Sequence, residues 1–533
     1  MSDDRSSPGP RGSGASPLPA WVRSRWTWWL AIGLLFVLAF SIRVTAGFDS
    51  LSSPLECGLT QMWDARHYQA RAQEIAAGDL LGREVFYLAP LYPYVLGLLY
   101  GIVGASGGSG APAAAMVFQG VLGPGSVILV TSLGRRFGGR AVGLLAGAAA
   151  ALYEPFIYQE SLVMPTALVL FTHVLALRLF LAAKDRPDLR LWPAAGLGLG
   201  LAALAHGSGL ALAGLLVPTS ALTAGLGSRR RNLAAAALLL VGLSIPILAV
   251  TARNWWVGRD LVLVTSNAGK NFYIGHHPAA TGTFAAHRLP VWGSGLGTYL
   301  EDVERGPEDP SPSQVSAWLA GEAWGFIRED PGRAARVTIR KLRLLFNWYE
   351  TPINDNQYFA RRYSEVLGLP LPSFGLIAPL GLGGLLLGLR RLRDLSELYV
   401  AAASQVGVFA LMFVLGRYRA FLAAVLMIAA ALFLRWTAQA LRERRWGTVG
   451  PSVLALLVAA CFVNQSVPGF ERSRGFGQQH LAVARHHLEE GKPALADRHA
   501  KRALRSSFAP WRDLPLRKAK VQYMRGKIAR STG

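Results

Sequence analysis

The sequence predicts an all-α polytopic membrane protein, on three observations. Of its 533 residues 52% are hydrophobic and 16% charged, whereas a soluble globular chain carries about 25% charge. The mean hydropathy is +0.30. The apolar residues fall into separate runs, with Lys and Arg clustered in the short segments between them. That clustering explains the formal charge of +23 as the positive-inside bias of membrane loops. It argues against nucleic acid as the partner of a basic chain.

Residues 1–25 are rich in Ser, Gly and Pro and predict a disordered cytoplasmic tail. Trp26 to Ala46 follows as a retained anchor, because it is too long for a signal peptide, starts after a polar tail and lacks a small-residue cleavage site. Further apolar runs are Pro90 to Val103, Ala113 to Leu133, Ala141 to Ile157, Leu162 to Ala183, Trp192 to Ala205, Leu210 to Leu226 and Leu233 to Val250. The set closes with Phe374 to Leu389, Leu398 to Leu415, Ala420 to Leu434 and Val449 to Val463. Several are shorter than the roughly 20 residues that span a bilayer, so flanking residues must extend them into about 11–12 helices.

Arg23 and Arg25, Arg135-Arg136 with Arg140, Lys184 to Arg190, Arg229 to Arg231, Arg390 to Arg393 and Arg442 to Arg445 read as cytoplasmic. The chain then divides into a core (26–252) with a first outer loop (47–89), a large extracytoplasmic loop (253–373), C-terminal transmembrane helices (374–467) and an extracytoplasmic tail (468–533). The parity is inconsistent at one place. An odd number of crossings must separate Asp64, outside, from the Arg135 cluster, inside, yet two apolar runs lie between them. Either Pro90 to Val103 is short or re-entrant, or the cluster breaks the rule.

In the tail, Gln478 to Leu504 reads as two amphipathic helices broken at Gly491-Lys492-Pro493, with alanines spaced as in a tetratricopeptide-type hairpin. One repeat cannot bury its own face, so a solvated or membrane-surface helix pair is the expected form. Cys57 and Cys461 give no disulfide framework. There is no phosphate-cradling glycine loop, Cys-x-x-Cys pair or His-Glu-x-x-His motif, which disfavours an ATP-driven transporter.

Chemistry is therefore sought in polar residues of the outer segments. Asp64, in Trp63-Asp64-Ala65-Arg66-His67-Tyr68, is an acid at a membrane edge, where ionisable groups mark functional sites. It begins a segment with Tyr68 on its apolar face, and its bland alternative is a helix cap. Glu160 ends Tyr153 to Glu160, otherwise an interfacial tyrosine belt. Gly416-Arg417-Tyr418-Arg419 puts two guanidinium groups on the outer side, against the positive-inside expectation. Their planar forks suit phosphate oxygens. Arg253 and Lys341 are further candidate cations. The stretch Asn267 to Pro278, with Asn271, Tyr273, His276 and His277, mixes aromatic faces and hydrogen-bonding groups as a sugar site does; a polar turn is the alternative.

In order and placement these motifs, with Arg43 and the proline pair of Ala89 to Tyr94, resemble the GT-C type of integral-membrane glycosyltransferase, the group of the protein O-mannosyltransferases (glycosyltransferase family 39) and the lipid A aminoarabinose transferase. The resemblance covers most of residues 26 to 435. It implies a GT-C fold with juxtamembrane helices in the first outer loop and a polyprenyl-phosphate sugar donor. The acceptor would be a lipid, glycan or protein, and the setting a bacterial-type plasma membrane with the site facing outward. By the same resemblance Asp64 is the catalytic base. Glu160 would be the second catalytic residue, orienting the acceptor or hydrogen-bonding the sugar; Arg417, Arg419, Arg253 and Lys341 would serve the donor phosphate, while Tyr68, Tyr418, Asn271, Tyr273, His276 and His277 would bind the substrates. Ala65, Leu88-Ala89, Lys270 and His276-His277 depart from the family pattern, so a divalent metal is neither required nor excluded. Two other readings use the same residues without a base: a carrier of polyprenyl-linked lipids and a cell-envelope assembly subunit.

Overall fold

The structure, a computed structural model, describes residues 25–55, 63–104, 110–284, 310–352, 356–466, 476–505, 521–522 and 524–529. Cys57 lies outside them. Helices make up the described residues, which form no β-strand; one isolated bridge joins Thr283 to Val414.

The first half comprises α1 (Arg25–Ser52), α2 (Trp63–Ala76), α3 (Leu91–Ile102), α4 (Gly110–Leu152), α5 (Glu154–Glu160), α6 (Thr166–Lys184), α7 (Leu191–Ala205), α8 (Ser208–Thr223) and α9 (Arg229–Gly258). The large loop contributes α10 (Ala268–Gly275), α11 (Pro312–Glu329), α12 (Pro331–Phe346), α13 (Gln357–Ala360) and α14 (Glu365–Gly368). Then follow α15 (Phe374–Gly388), α16 (Ser396–Leu411), the 3-10 turn Gly416–Arg419, α17 (Ala420–Arg442) and α18 (Trp446–Val463), with α19 (Gly477–Glu489) and α20 (Pro493–Arg505) in the tail. Seven described helices are long and apolar enough to cross a bilayer: α1, α4, α6, α9, α15 with the turn extending it to Arg391, α17 with its preceding turn, and α18. The protein is a multi-pass membrane protein.

The parity conflict is resolved by α3 and α4. With 12 residues, α3 reaches about 18 Å, well short of a core roughly 30 Å thick. It lies against α2 instead: a Cβ on Gly97 would sit 2.7 Å from Ile75 Cβ, and the Tyr68 and Tyr92 rings meet edge-on at 5.3 Å. Pro90 to Val103 is thus the short alternative. The run Ala113 to Leu133 is the first limb of α4, which reverses at Gly139 (φ 79°, ψ −178°); the run Ala141 to Ile157 is its second limb as far as Leu152 and continues into α5. The limbs pack closely, a Cβ on Gly134 lying 3.0 Å from Gly143 Cα. Besides the seven long helices, α3, α7, α8 and α16 are shorter apolar helices of 12 to 16 residues.

The arginine clusters gather at one end. Arg135 and Arg140 cover Trp28 at 4.8 and 5.9 Å, Arg136 pairs with Asp185 at 2.5 Å, and Lys184 pairs with Glu397. The first loop, the large loop and the tail meet at the opposite end. There Ser364 bonds Asp49 at 2.8 Å, Asn347 donates to the Val463 and Gln465 carbonyls, and Phe359 meets Phe476 at 5.2 Å. Small residues let the helices approach, as in other membrane bundles. A Cβ on Gly242 of α9 would stand 2.9 Å from the Leu197 nitrogen of α7, and one on Gly381 of α15 2.7 Å from Leu426 Cβ of α17.

Gly139 occupies backbone space that only glycine enters without strain. Gly139→Ala is expected to destabilise the protein by about 1–3 kcal/mol, read as a lower thermal midpoint in detergent. Gly33→Ala, with no atom within 4 Å of the added Cβ, should leave the midpoint unchanged.

Candidate active site

Asp64 lies in the first turn of α2 and Arg417 in the 3-10 turn that opens α17. The two meet across 353 positions of sequence, Arg417 Nη2 donating to Asp64 Oδ2 at 2.6 Å. The Arg417 side chain is 9% exposed and the Asp64 side chain 26%, so the pair is largely shielded yet its carboxylate reaches solvent. In such a setting the charges interact far more strongly than in water. Tyr418 lies beside them, its ring 5.1 Å from the Arg417 guanidinium carbon. Tyr68, one turn after Asp64, is buried; burial and then the Asp64 carboxylate hold its phenol well above the usual range, against the pull of Arg417. The fold thus brings together Asp64, Tyr68, Arg417 and Tyr418 from opposite halves of the chain.

Arg417 also lines a cleft of about 280 Å³ with Tyr158, Gln159, Glu350, Thr351, Gln357 and Gly416. Gly416 is required there, since a Cβ would stand 2.5 Å from Glu350 Oε2. A second cavity of about 270 Å³ shares Tyr158 and is rich in hydroxyls, from Ser50, Ser53, Ser161, Tyr363 and Ser364.

Arg419, two residues on, does not line this cleft. It is buried, pairs with Glu350 at 2.5 Å and donates to the Leu345, Asn347 and Tyr349 carbonyls at 3.1, 2.6 and 3.2 Å. It thereby shapes the segment that carries Glu350 into the cleft. Burial pushes the Glu350 carboxyl above its usual range, partly opposed by Arg419. Glu160 is likewise buried and is paired with Arg43, whose remaining N–H groups bond the Ala150 and Ala151 carbonyls at 3.1 and 2.9 Å. The pair fixes α5, whose Tyr158 and Gln159 face the cleft.

Arg253 serves the first loop, donating to the Glu84 carbonyl at 2.6 Å and to that of Leu81 while lying 4.0 Å over Phe86. Lys341 is buried, its Nζ 3.2 Å from His276 Nε2 and 3.0 Å from the Ala410 carbonyl. Burial lowers Lys341 to about 7 and His276 to about 4, so the imidazole is the neutral acceptor. On α10, Asn271 is half-buried and Tyr273 stacks near His277, with ring centres 5.4 Å apart. Tyr273 joins Phe413, Leu415 and Tyr418 in one apolar cluster, and Val414 N–H bonds the Gly282 carbonyl at 3.0 Å. The Asn267 to Pro278 stretch therefore buttresses the Arg417 turn from behind, and no described side-chain contact joins Asn271, His276 or His277 to Asp64.

Sequence reading missed Glu350, Gln357 and Thr351, which carry no motif. It also gave no role to His206 or Ser208. In the structure His206 lies 4.9 Å from the Tyr418 ring, and Ser208 Oγ links it to His173 at 2.8 and 3.0 Å. The signal was a histidine at the outer end of an apolar run. Asp64 belongs to no group of three His, Cys, Asp or Glu donors among the described residues, and its carboxylate is held by Arg417. The described residues do not make a three-donor divalent-ion site there.

No protein-family model matches the chain, and no curated protein matches it. Among solved structures it is similar to the Archaeoglobus fulgidus oligosaccharyltransferase in complex with Zn and sulfate, at 14% identity and a TM-score of 0.42 over 87% of this chain and 57% of that one. The same enzyme, AglB, in complex with an inhibitory peptide and a dolichol-phosphate gives 13% and 0.43 over 93% and 61%. ArnT from Cupriavidus metallidurans bound to undecaprenyl phosphate gives 15% and 0.40 over 95% and 76%. The chain spans about three-fifths of the oligosaccharyltransferase's length.

Lys341 supplies a pH test. Its folded pKa of about 7 lies below the unfolded value near 10.4, so between them the unfolded chain binds more protons and stability rises with pH. The thermal midpoint should climb from pH 7 to 9.5 in the wild type and less steeply in Lys341→Met. Parallel curves would show that Lys341 is ordinarily charged.

Proposed function

We propose that the protein is an integral-membrane glycosyltransferase that transfers a sugar, with inversion, from a polyprenyl-phosphate carrier to a lipid, glycan or protein acceptor outside the cytoplasm. The observation that supports it most is the Asp64–Arg417 pair at 2.6 Å, an acid and a phosphate-compatible cation at the end of the bundle away from the arginine clusters. Nucleotide sugars are absent outside the cytoplasm, so an activated sugar reaches that side on a lipid.

In the proposed reaction Asp64 accepts the proton of an acceptor hydroxyl or amine as general base. The acceptor atom bonds to the anomeric carbon opposite the phosphate, and the bond from that carbon to the phosphate oxygen breaks, leaving the electron pair on the phosphate. Arg417 stabilises the charge that develops there, in a cleft of low polarisability. In the resting state the same guanidinium holds Asp64. An arriving phosphate competes for it and loosens the carboxylate, so donor binding prepares the base. Tyr68 and Tyr418 flank the reacting groups. Glu160, through Arg43, is a positioning residue for α5. Arg419 positions the Glu350 segment, Arg253 the first loop, and Lys341 with Asn271, Tyr273, His276 and His277 the wall behind the turn.

Asp64→Asn keeps the shape and can still accept from Arg417, so it should fold and bind donor yet lose about 10²- to 10⁴-fold in transfer rate. Arg417→Lys keeps the charge but loses the planar fork and should weaken donor use on the order of 10- to 100-fold. Both are read with purified protein and a polyprenyl-phosphate sugar. Near-normal transfer by Asp64→Asn would leave Asp64 a structural partner of Arg417 and assign the base elsewhere, whereas donor binding without transfer by the wild type would favour the carrier reading.

The sidedness is tested separately. Reporter fusions after Gly282 and Gly533 should both signal from outside the cytoplasm and one after Gly227 from inside. A cytoplasmic signal at Gly282 would remove the proposed setting for a lipid-linked donor.

A further inference from the structure

The tail carries His480, His486, His487 and His499, four of the 10 histidines in the sequence. None has a part in the proposed transfer. The hairpin stacks them in a ladder, with ring centres 5.2 Å apart between His480 and His499, 5.6 Å between His499 and His487, and 5.7 Å between His487 and His486. The ladder ends at a carboxylate. His486 Nε2 lies 3.2 Å from Glu490 Oε1 and His487 Nδ1 3.3 Å from Glu490 Oε2, and donor atoms of the three residues lie within 4.8 Å of one another.

Local structure explains the convergence. Positions three and four apart share a helix face, which places Glu490 beside both histidines in the last turn of α19. Gly491, at φ 70°, then reverses the chain so that α20 returns against α19. Buried alanines, Ala484 on α19 and Ala496, Ala500 and Ala503 on α20, allow the close packing that brings His499 alongside.

Two imidazoles and one carboxylate form a donor set used by zinc, with a position left for a further ligand. We propose that His486, His487 and Glu490 bind a divalent ion of the zinc class, with His499 the adjacent imidazole available to complete the shell. Lys492 Nζ lies 3.1 Å from Glu490 Oε2 and competes for that oxygen; its side chain is exposed and is displaced to solvent when the ion binds. The Nδ1 atoms of His480 and His499 are 3.2 Å apart. When His499 donates that hydrogen bond, its Nε2 keeps a lone pair, the second-shell arrangement that orients metal-binding histidines.

The full chain, purified in detergent through a tag without histidines and treated with chelator, is titrated with zinc chloride by calorimetry. The wild type is expected to take up one equivalent with a dissociation constant below about 1 µM. His487→Ala with Glu490→Gln should bind at least about tenfold more weakly, and His480→Phe, which removes only the second-shell partner, should have a smaller effect. Thermal midpoints in chelator confirm that each variant is folded, and the wild-type midpoint should rise with zinc. Absence of tight uptake by the wild type, or equal uptake by the double variant, would overturn the site. Neither result bears on sugar transfer.

Discussion

A charge inside a bilayer-spanning bundle has to find a partner, because leaving it uncompensated costs more than most single contacts supply. At the end away from the arginine clusters four ion pairs meet this constraint: Arg43–Glu160, Arg361–Glu154, Arg419–Glu350 and Arg417–Asp64. Each joins segments far apart in sequence. Together they fasten the first loop, α5 and the large loop to the mouth of the bundle. Three are closed inside the protein or anchor its loops, and the fourth, with Asp64 more exposed than the other three carboxylates, is the pair a substrate can reach.

The same constraint separates positioning from chemistry among similar residues. Arg417 and Arg419 are two residues apart and read alike in the sequence. The turn Gly416–Arg419 directs Arg419 inward onto three backbone carbonyls and Glu350, whereas Arg417 points to the cleft and Asp64. A guanidinium with that many fixed acceptors is a scaffold. One that shares a carboxylate at a cleft wall is placed where, in the proposed reaction, a phosphate can compete for it. The distinction is made by the surrounding backbone, which no local pattern reveals.

Much of the fold was legible because apolar length and arginine clustering are one-dimensional signals. They marked the bundle, its two ends and the loops that meet at the far end. Where they conflicted, at Pro90 to Val103, the structure chose the short helix. The separate runs read at Ala113 and Ala141 correspond to the two limbs that Gly139 divides. Within the site, Asp64 and Arg417 were legible from charge in unexpected places. Glu350 and Gln357 were not, because nothing local distinguishes a loop acid or amide that becomes important only when Arg419 and Gly416 draw its segment against the cleft.

In the proposed reaction, holding Asp64 and Arg417 in one ion pair has a consequence for the order of events. A carboxylate oxygen that accepts from a guanidinium is occupied while the bond lasts and is not offered to the acceptor's proton. Were the pair permanent, it would be structural. Were Asp64 unpaired, a charge at the bundle mouth would go uncompensated whenever substrate was absent. A largely shielded pair beside a cleft satisfies both demands of the proposed reaction: it is stable at rest, and it can be opened by the anion whose departure that reaction requires. On the proposed function, the acceptor is then activated only after the donor is seated, which would protect the sugar–phosphate bond from wasteful attack by water.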